Sequence, residues 1–432
     1  MIPPQDRADR GTGMAEDGAA VGAEALKKAE EFIEQEEGAS SRYRGWFGWM
    51  VTGIAVVMTL FHLYAAYDIV GAQTLRPVHV GFVLTLTFLM FPVVPRFRHR
   101  FMPWDIVTVI LSVVTVWYLI DGGDDLTDRY TSPRSMDVWM GLIFMALVLE
   151  ATRRTTGWIM PFVAVLFLLY ALFGPYLPPP WTHRGYDFER LVGQLYMTLE
   201  GIFGVAVDVS SSLIILFTIF GAVLQFSGAG KFFIDFSFAA MGGKPTSAGR
   251  AIVLSSFLLG GPSGSGVATT VTLGSVAYPM LAKAGYGKND AGGLLAAGGL
   301  GAILSPPVLG AAAFLIAEFL KISYLDVIWM ATIPTILYYF TLFVMVELDA
   351  GKFGIKEVTI EKRQSLWQLT REHGFHFTSL VSIIVFMVLG FSPILSVFYA
   401  TLLAAVVSFV RRDTALYPRS EEHTSELQSR FG

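Results

Sequence analysis

Residues 251–282 read AIVLSSFLLGGPSGSGVATTVTLGSVAYPMLA, and no charged side chain occurs among them. Such a run belongs in an apolar solvent, yet Gly260-Gly261-Pro262-Ser263-Gly264-Ser265-Gly266 stands in its middle. Glycine and proline together disfavour a continuous helix. Neither limb beside the glycines reaches the roughly 20 residues that a hydrocarbon core demands, while limbs of about 10 to 14 suit a re-entrant segment. The reading is a hairpin that enters the membrane, turns at 262–266 and leaves. Bare peptide groups at such a turn cannot face lipid, where each unsatisfied group costs several kcal/mol, so they are buried in protein or line a watery cavity. Ser263 and Ser265 add hydroxyl oxygens to the carbonyls there, a set that suits a hard monovalent cation.

A second interrupted segment follows at 291–317, again uncharged, with Gly298-Gly299-Leu300-Gly301 and then Ser305-Pro306-Pro307. Neither proline donates a hydrogen bond and each ring clashes with a preceding carbonyl, so the helix is expected to open here. Adjacent Gly/Pro-broken hydrophobic segments point to a transporter's binding site, where half-helix ends and unwound backbone hold substrate and coupling ion. The plainer alternative is that the glycines serve close helix packing. Packing alone explains neither the serines nor the paired prolines.

The composition agrees with a membrane solvent: 53% of the residues are hydrophobic and the mean hydropathy is +0.56, which marks an all-α polytopic membrane protein. The absence of cysteine excludes disulfides and thiolate metal sites. No basic patch interleaved with aromatics argues for nucleic acid.

Residues 1–44 read as a polar cytoplasmic tail without the apolar core of a signal peptide. Spans are expected at about 45–67, 78–94, 103–120, 138–151 and 157–172. Arg42 and Arg44 precede the first, Arg96, Arg98 and Arg100 follow the second, and Arg153 and Arg154 follow the fourth. The intervening 121–137 is rich in aspartate, so the arginine-bearing loops and the N-terminus are placed in the cytoplasm. Trp46, Trp49, Trp104, Trp139 and Trp158 fall near span ends, as interfacial belts require. Apolar residues at helical spacing predict an interfacial or bracing helix over 188–207. Further apolar segments follow at 210–226, 327–346, 377–389 and 393–410, with a polar loop up to His376.

The tail from Arg419 to Ser429 is similar to the conceptual translation of a sequencing-library adapter, so 419–432 is set apart from fold reasoning. The natural frame is expected to stop near Pro418, as in a gene cut short at its 3′ end.

Ser255-Ser256-Phe257-Leu258-Leu259-Gly260 leading into Ser263-Gly264-Ser265, then Gly274-Ser275, Pro279-Met280, Gly285-Tyr286, Gly301 and Pro306-Pro307 carry a resemblance. In order and spacing they resemble the large membrane subunit of tripartite ATP-independent periplasmic (TRAP) transporters. Glu150-Ala-Thr-Arg-Arg154, Glu200-Gly-Ile-Phe-Gly204, Phe217-Thr-Ile-Phe-Gly-Ala222 and Gly310-Ala-Ala-Ala-Phe314 with Ala317-Glu318 are similar to the TAXI branch, in which a four-span small subunit is fused ahead of the large one. Thr269 stands where that branch commonly has Asn, and Gly299-Leu-Gly-Ala-Ile303 where it has Ser-Thr-Gly-Gly-Gln. Both replacements look closer to the dicarboxylate branch.

The resemblance implies a sodium-driven permease of the bacterial inner membrane that imports an organic anion, a carboxylate, delivered by a TAXI-type periplasmic substrate-binding protein. It implies an elevator fold of two inverted repeats, each with a re-entrant hairpin and a broken helix, of which only the first is present here. The corresponding division is a tail at 1–44, a small-subunit-like region at 45–156, the first half of the large subunit at 157–410 and a cytoplasmic or loop end at 411–418. Ser263, Gly264, Ser265 and Thr269 are expected to hold sodium with the backbone around Gly301 and Ser305. Pro262, Ser263, Pro306 and Pro307 are expected to meet the substrate.

Other residues have plainer readings. Glu150 pairs with Arg153 and Arg154 at helical spacing, Glu318 pairs with Lys321 likewise, and His62 is a packed, hydrogen-bonded core residue. Glu200, acidic near membrane depth, falls under the same plain reading. Gly261-Pro262-Ser263-Gly264 matches the short pattern of an intramembrane serine protease, which needs a histidine on a later span. His373 and His376 are placed in a polar loop and His423 in the set-apart tail, so the enzyme reading is the weaker one. A non-transporting scaffold or regulator is the third.

Overall fold

The computed structural model describes residues 45–94, 103–242, 246–263, 266–301, 303–355, 365–411 and 414–416. The expected tail at 1–44, the set-apart segment at 419–432 and the arginines at 96, 98 and 100 lie outside these. Among the described residues the regular structure is helical throughout, without a strand. Six helices among them are long and apolar enough to cross a membrane. This is an all-α polytopic membrane protein.

The N-terminal helices are α1 (Trp46–Tyr67), α2 (Ala72–Met90), α3 (Pro103–Asp128), α4 (Ser135–Thr156) and α5 (Ile159–Phe173). The aspartate-rich stretch expected as a loop from residue 121 is helical to Asp128, with a kink where Gly123 takes φ 46°. Glycine alone adopts that conformation without strain, so the span ends there and one more turn follows. The belt tryptophans Trp46, Trp49, Trp104, Trp139 and Trp158 are all exposed on the helical surface.

The helix expected over 188–207 is interrupted. It forms α6 (Phe188–Tyr196), turns through 197–204, and begins again as α7 (Val205–Phe226), which contains a π-helical turn at Ser210–Ile214. The turn closes on Gly201, where a Cβ would run into the carbonyls of Gln194 and Leu195. Arg76 then holds it, donating to the Phe203 carbonyl at 2.9 Å and pairing with Asp208. Tyr196, Phe203 and Phe144 pack with Val80, Leu84 and Phe88 into a core shared by α2, α3, α4 and α6.

Charged staples fix this framework. Arg154, its side chain wholly buried, pairs with Asp105 at 2.7 Å and with Glu150 at 2.9 Å. Glu150 also pairs with Arg153, as its spacing predicts. Buried Asp137 accepts from Arg129 through both oxygens, at 2.9 and 3.0 Å. His62 is the packed residue expected: its Nδ1 meets the Met58 carbonyl at 2.7 Å. Unexpectedly, its Nε2 meets His79, which reaches Ser210 at 3.0 Å and so ties α2 to the π-helical turn.

The remaining chain packs around a second core. It comprises α8 (Ala229–Met241), α9 (Ser247–Ser263), α10 (Gly266–Ala284), α11 (Lys288–Gly301), α12 (Ala311–Leu320), α13 (Tyr324–Phe353), α14 (Leu366–His373), α15 (Phe375–Val388) and α16 (Pro393–Ser408). The polar loop expected up to His376 therefore contains α14, and His376 stands in the first turn of α15, buried. His373 and His376 gather about Phe232 at 6.2 and 5.6 Å between ring centroids.

Candidate functional site

Two consecutive helices joined across 264–265 form an antiparallel hairpin. Its open ends meet where Gly249, near the start of α9, leaves just enough room for the Tyr286 hydroxyl beyond the end of α10. The helix of α9 continues through Gly260 and Gly261 and runs two residues into the turn expected at 262–266, taking in Pro262 and Ser263. Proline in the last turn of a helix forfeits a single hydrogen bond, and small residues let neighbouring backbones approach within a membrane. Of the expected ion ligands on the hairpin, Gly264 and Ser265 lie outside the described residues, and of Pro262 and Ser263 the helical backbone alone is described. Thr269 is in the first turns of α10 and is 1% exposed.

The second interruption is placed by the prolines and not by the glycines. Gly298, Gly299 and Gly301 are all within α11, and the backbone is irregular from 303 to 310 around Ser305-Pro306-Pro307 before α12 begins. The glycines serve contact: a Cβ on Gly298 would strike the Ser256 hydroxyl, and one on Gly299 would lie 2.5 Å from the Gly266 carbonyl oxygen. Gly266 opens α10, so the tip of the hairpin rests on the last turn of α11. Thr270, whose hydroxyl donates to the Gly266 carbonyl of its own helix at 2.8 Å, also reaches the Leu295 carbonyl of α11 at 3.4 Å.

Polar groups in the irregular segment and in the end of α11 before it are met by one helix. Along α13, Tyr324 accepts from the Leu309 amide and donates to the Pro307 carbonyl, both at 3.1 Å. Thr335 donates to the Leu304 carbonyl at 2.7 Å, and Tyr338 to the Ala297 carbonyl at 2.6 Å. Tyr339 shares a 2.8 Å hydrogen bond with Ser305, whose hydroxyl donates to the Gly301 carbonyl at 2.8 Å. Ser305 is wholly buried. None of these four residues was singled out from sequence, although a signal exists: Tyr324, Thr335, Tyr338 and Tyr339 fall on one helical face of an otherwise apolar span.

The donor set around Gly301 and Ser305 is made of neutral oxygens, and no group of three or more His, Asp or Glu able to hold a metal occurs among the described residues. Carbonyls and hydroxyls of this kind replace the water of a monovalent cation and suit a multivalent one poorly. Helix polarity adds to it: the C-terminal end of α11 carries partial negative charge and the N-terminal end of α12 partial positive charge, on either side of the break.

A cavity of about 600 Å³ lies at the far end of α12, lined by Asp68, Asp208, Glu318, Phe314, Tyr324 and Ser392 among others. Asp208 is paired with Arg76 and Glu318 with Lys321. Tyr324 belongs to both places. Its ring stacks on Phe314 at 4.7 Å on the cavity side, and its hydroxyl clamps the irregular segment.

Residues 143–427 match the family described as tripartite ATP-independent periplasmic transporter, DctM component. The chain belongs to that family. The matched range takes in the hairpin and both halves of the broken helix, begins within α4, and extends into the tail set apart at 419. The chain is also 33% identical over 107 residues to the 2,3-diketo-L-gulonate TRAP transporter large permease protein YiaN of Escherichia coli (strain K12). That match covers 25% of each protein, so the chain spans about a quarter of the curated relative it matches.

Proposed function

We propose that this DctM-family chain is the membrane permease part of a sodium-driven secondary transporter of the inner membrane. It imports an organic anion handed over by a periplasmic substrate-binding protein of the TAXI type. The observation that carries the reading is the meeting of two interruptions: the hairpin tip at Gly266 rests on α11 at Gly299, one to two turns from the break at Ser305-Pro306-Pro307. Half-helix ends gathered in this way supply what a carrier needs, carbonyl ends for a cation and an amide end for a carboxylate. Ser263, Gly264, Ser265, Thr269, Gly301 and Ser305 form the sodium side of this site, and Pro262, Ser263, Pro306 and Pro307 the substrate side.

The substrate class is a carboxylate, in keeping with the positive end of α12 and with the sugar acid for which the relative is named. The arginine distribution places the N-terminus in the cytoplasm. Coupling arises because closing the hairpin over an ion and an anion together gives a neutral, sealed unit whose elevator movement through the membrane is less costly than that of either half-filled state.

Uptake by the reconstituted permease with its binding protein tests the proposal. Sodium-dependent accumulation is expected, and Ser265→Ala raises the sodium concentration for half-maximal uptake. Unchanged sodium dependence in that variant removes the hairpin serine from the ion site, and uptake indifferent to sodium in the parent refutes the coupling.

A further inference from the structure

We propose that Tyr339 is a positioning residue of the ion site, setting which way the Ser305 hydroxyl points. This deepens the reading above and rests on it. Ser305 has one hydroxyl proton, given to the Gly301 carbonyl, so in the 2.8 Å contact between the two hydroxyls Tyr339 is the donor. The result is a directed chain from the Tyr339 hydroxyl through Ser305 to the Gly301 carbonyl. That carbonyl also accepts from the Leu304 amide at 3.0 Å, so both of its lone pairs are engaged.

A cation can take the Gly301 oxygen only when the serine proton is withdrawn from it. The Tyr339 oxygen is already in contact with Ser305 and can receive that proton. Ser305 then donates to Tyr339, its own lone pairs face the ion together with the Gly301 carbonyl, and the tyrosine proton swings out of the contact between the two hydroxyls. The bond between Ser305 and Tyr339 changes direction without either side chain leaving its place.

The surroundings of Tyr339 fit this role. Its ring is 7% exposed, set edge-on to Phe257 of the hairpin limb at 5.2 Å, and its hydroxyl presses on Gly301, where no side chain would fit. One residue thus touches hairpin, break and ion-binding oxygens together.

The inference predicts an asymmetric effect of removing the hydroxyl. Without ion, Ser305 keeps its bond to Gly301 in Tyr339→Phe; with ion, its proton has lost its acceptor, so sodium binding weakens about tenfold. Thermal unfolding of the full chain in detergent, titrated with NaCl against choline chloride at constant ionic strength, reads this as a shift in the sodium midpoint. Tyr339→Phe is expected to raise the midpoint about tenfold, whereas Thr341→Val, whose hydroxyl bonds its own helix at Leu337, leaves it in place. A purely structural tyrosine would lower the unfolding temperature without sodium and leave the midpoint alone; that result overturns the inference while the sodium response of the parent chain sustains the ion site. No sodium-specific stabilisation of the parent overturns the ion site and this inference with it. Should Tyr339→Phe not fold, 3-fluorotyrosine at 339 keeps the shape and is a poorer acceptor; a raised midpoint supports the role and an unchanged one refutes it.

Discussion

Two regions of this protein handle buried polarity in opposite ways. Between α2, α3 and α4 it is carried by full charges: Asp105, Arg154, Glu150 and Arg153 in one network, Arg129 and Asp137 in another. Around the hairpin and the break it is carried by neutral hydroxyls and carbonyls, and among the described residues the ion pairs there stand at the ends, Arg250 with Glu347 and Lys321 with Glu318. Breaking a buried charge pair costs about 3–5 kcal/mol, whereas a neutral hydrogen bond contributes about 1 kcal/mol. The first region is therefore built to keep one arrangement, and the second to exchange partners at small cost.

The largest effect should come from the charged framework. Arg154→Ala leaves Asp105 buried without its guanidinium and is expected to cost about 3–5 kcal/mol, seen as a large fall in the unfolding temperature of the purified protein. A fall no greater than that of the substitutions below would erase the contrast. Next is Gly299→Ala, whose methyl would collide with Thr270 and the Gly266 carbonyl and separate the hairpin tip from α11. A loss of about 1–3 kcal/mol is expected, with sodium-dependent uptake falling more than stability does. Tyr324→Phe removes one partner each from the Pro307 carbonyl and the Leu309 amide and should cost about 1–3 kcal/mol. Its sharper readout is faster amide exchange at Leu309.

The smallest effect has the opposite sign. The Tyr286 hydroxyl is buried with no hydrogen-bond partner among the described residues, so Tyr286→Phe should stabilise by up to about 1 kcal/mol. Burial, and after it the carboxylates Asp349 and Glu347, push the Tyr286 phenol up to about 12 from an ordinary value of 10.0. The folded state thus holds this proton more tightly than the unfolded one, and that contribution is complete below pH 10 and fades as pH rises toward 12. Stability falling over that range in the parent and less so in Tyr286→Phe would confirm the assignment.

Much of this architecture is legible in the sequence because bilayer thickness leaves few options. Long uncharged runs can only be helices, and Pro306-Pro307 opens one of them where elementary sterics demand. The glycines are harder to read. A glycine pair that breaks a helix and one that packs it look alike in one dimension; Gly260–Gly261 and Gly298–Gly299 both lie inside helices, and only the neighbour's backbone shows why. For the same reason the break at Met197–Gly204 is hidden within a regular apolar spacing, since what stabilises it is Arg76, more than a hundred residues away. The hydroxyl face of α13 lay open to inspection, but tyrosines in an apolar span read equally well as interfacial residues until their carbonyl partners are known.

The 30-residue length of α13 has its own consequence. At 1.5 Å per residue it measures about 45 Å against a hydrocarbon layer of about 30 Å, so it leans, bends or protrudes. Its internal proline, Pro334, falls between Tyr324 and the group Thr335, Tyr338 and Tyr339, and a bend there would divide the props of the unwound segment into two sets. Acyl-chain length thereby bears on the broken helix: a thinner bilayer that increases the lean would load one set of props against the other, linking lipid composition to the geometry of the unwound segment.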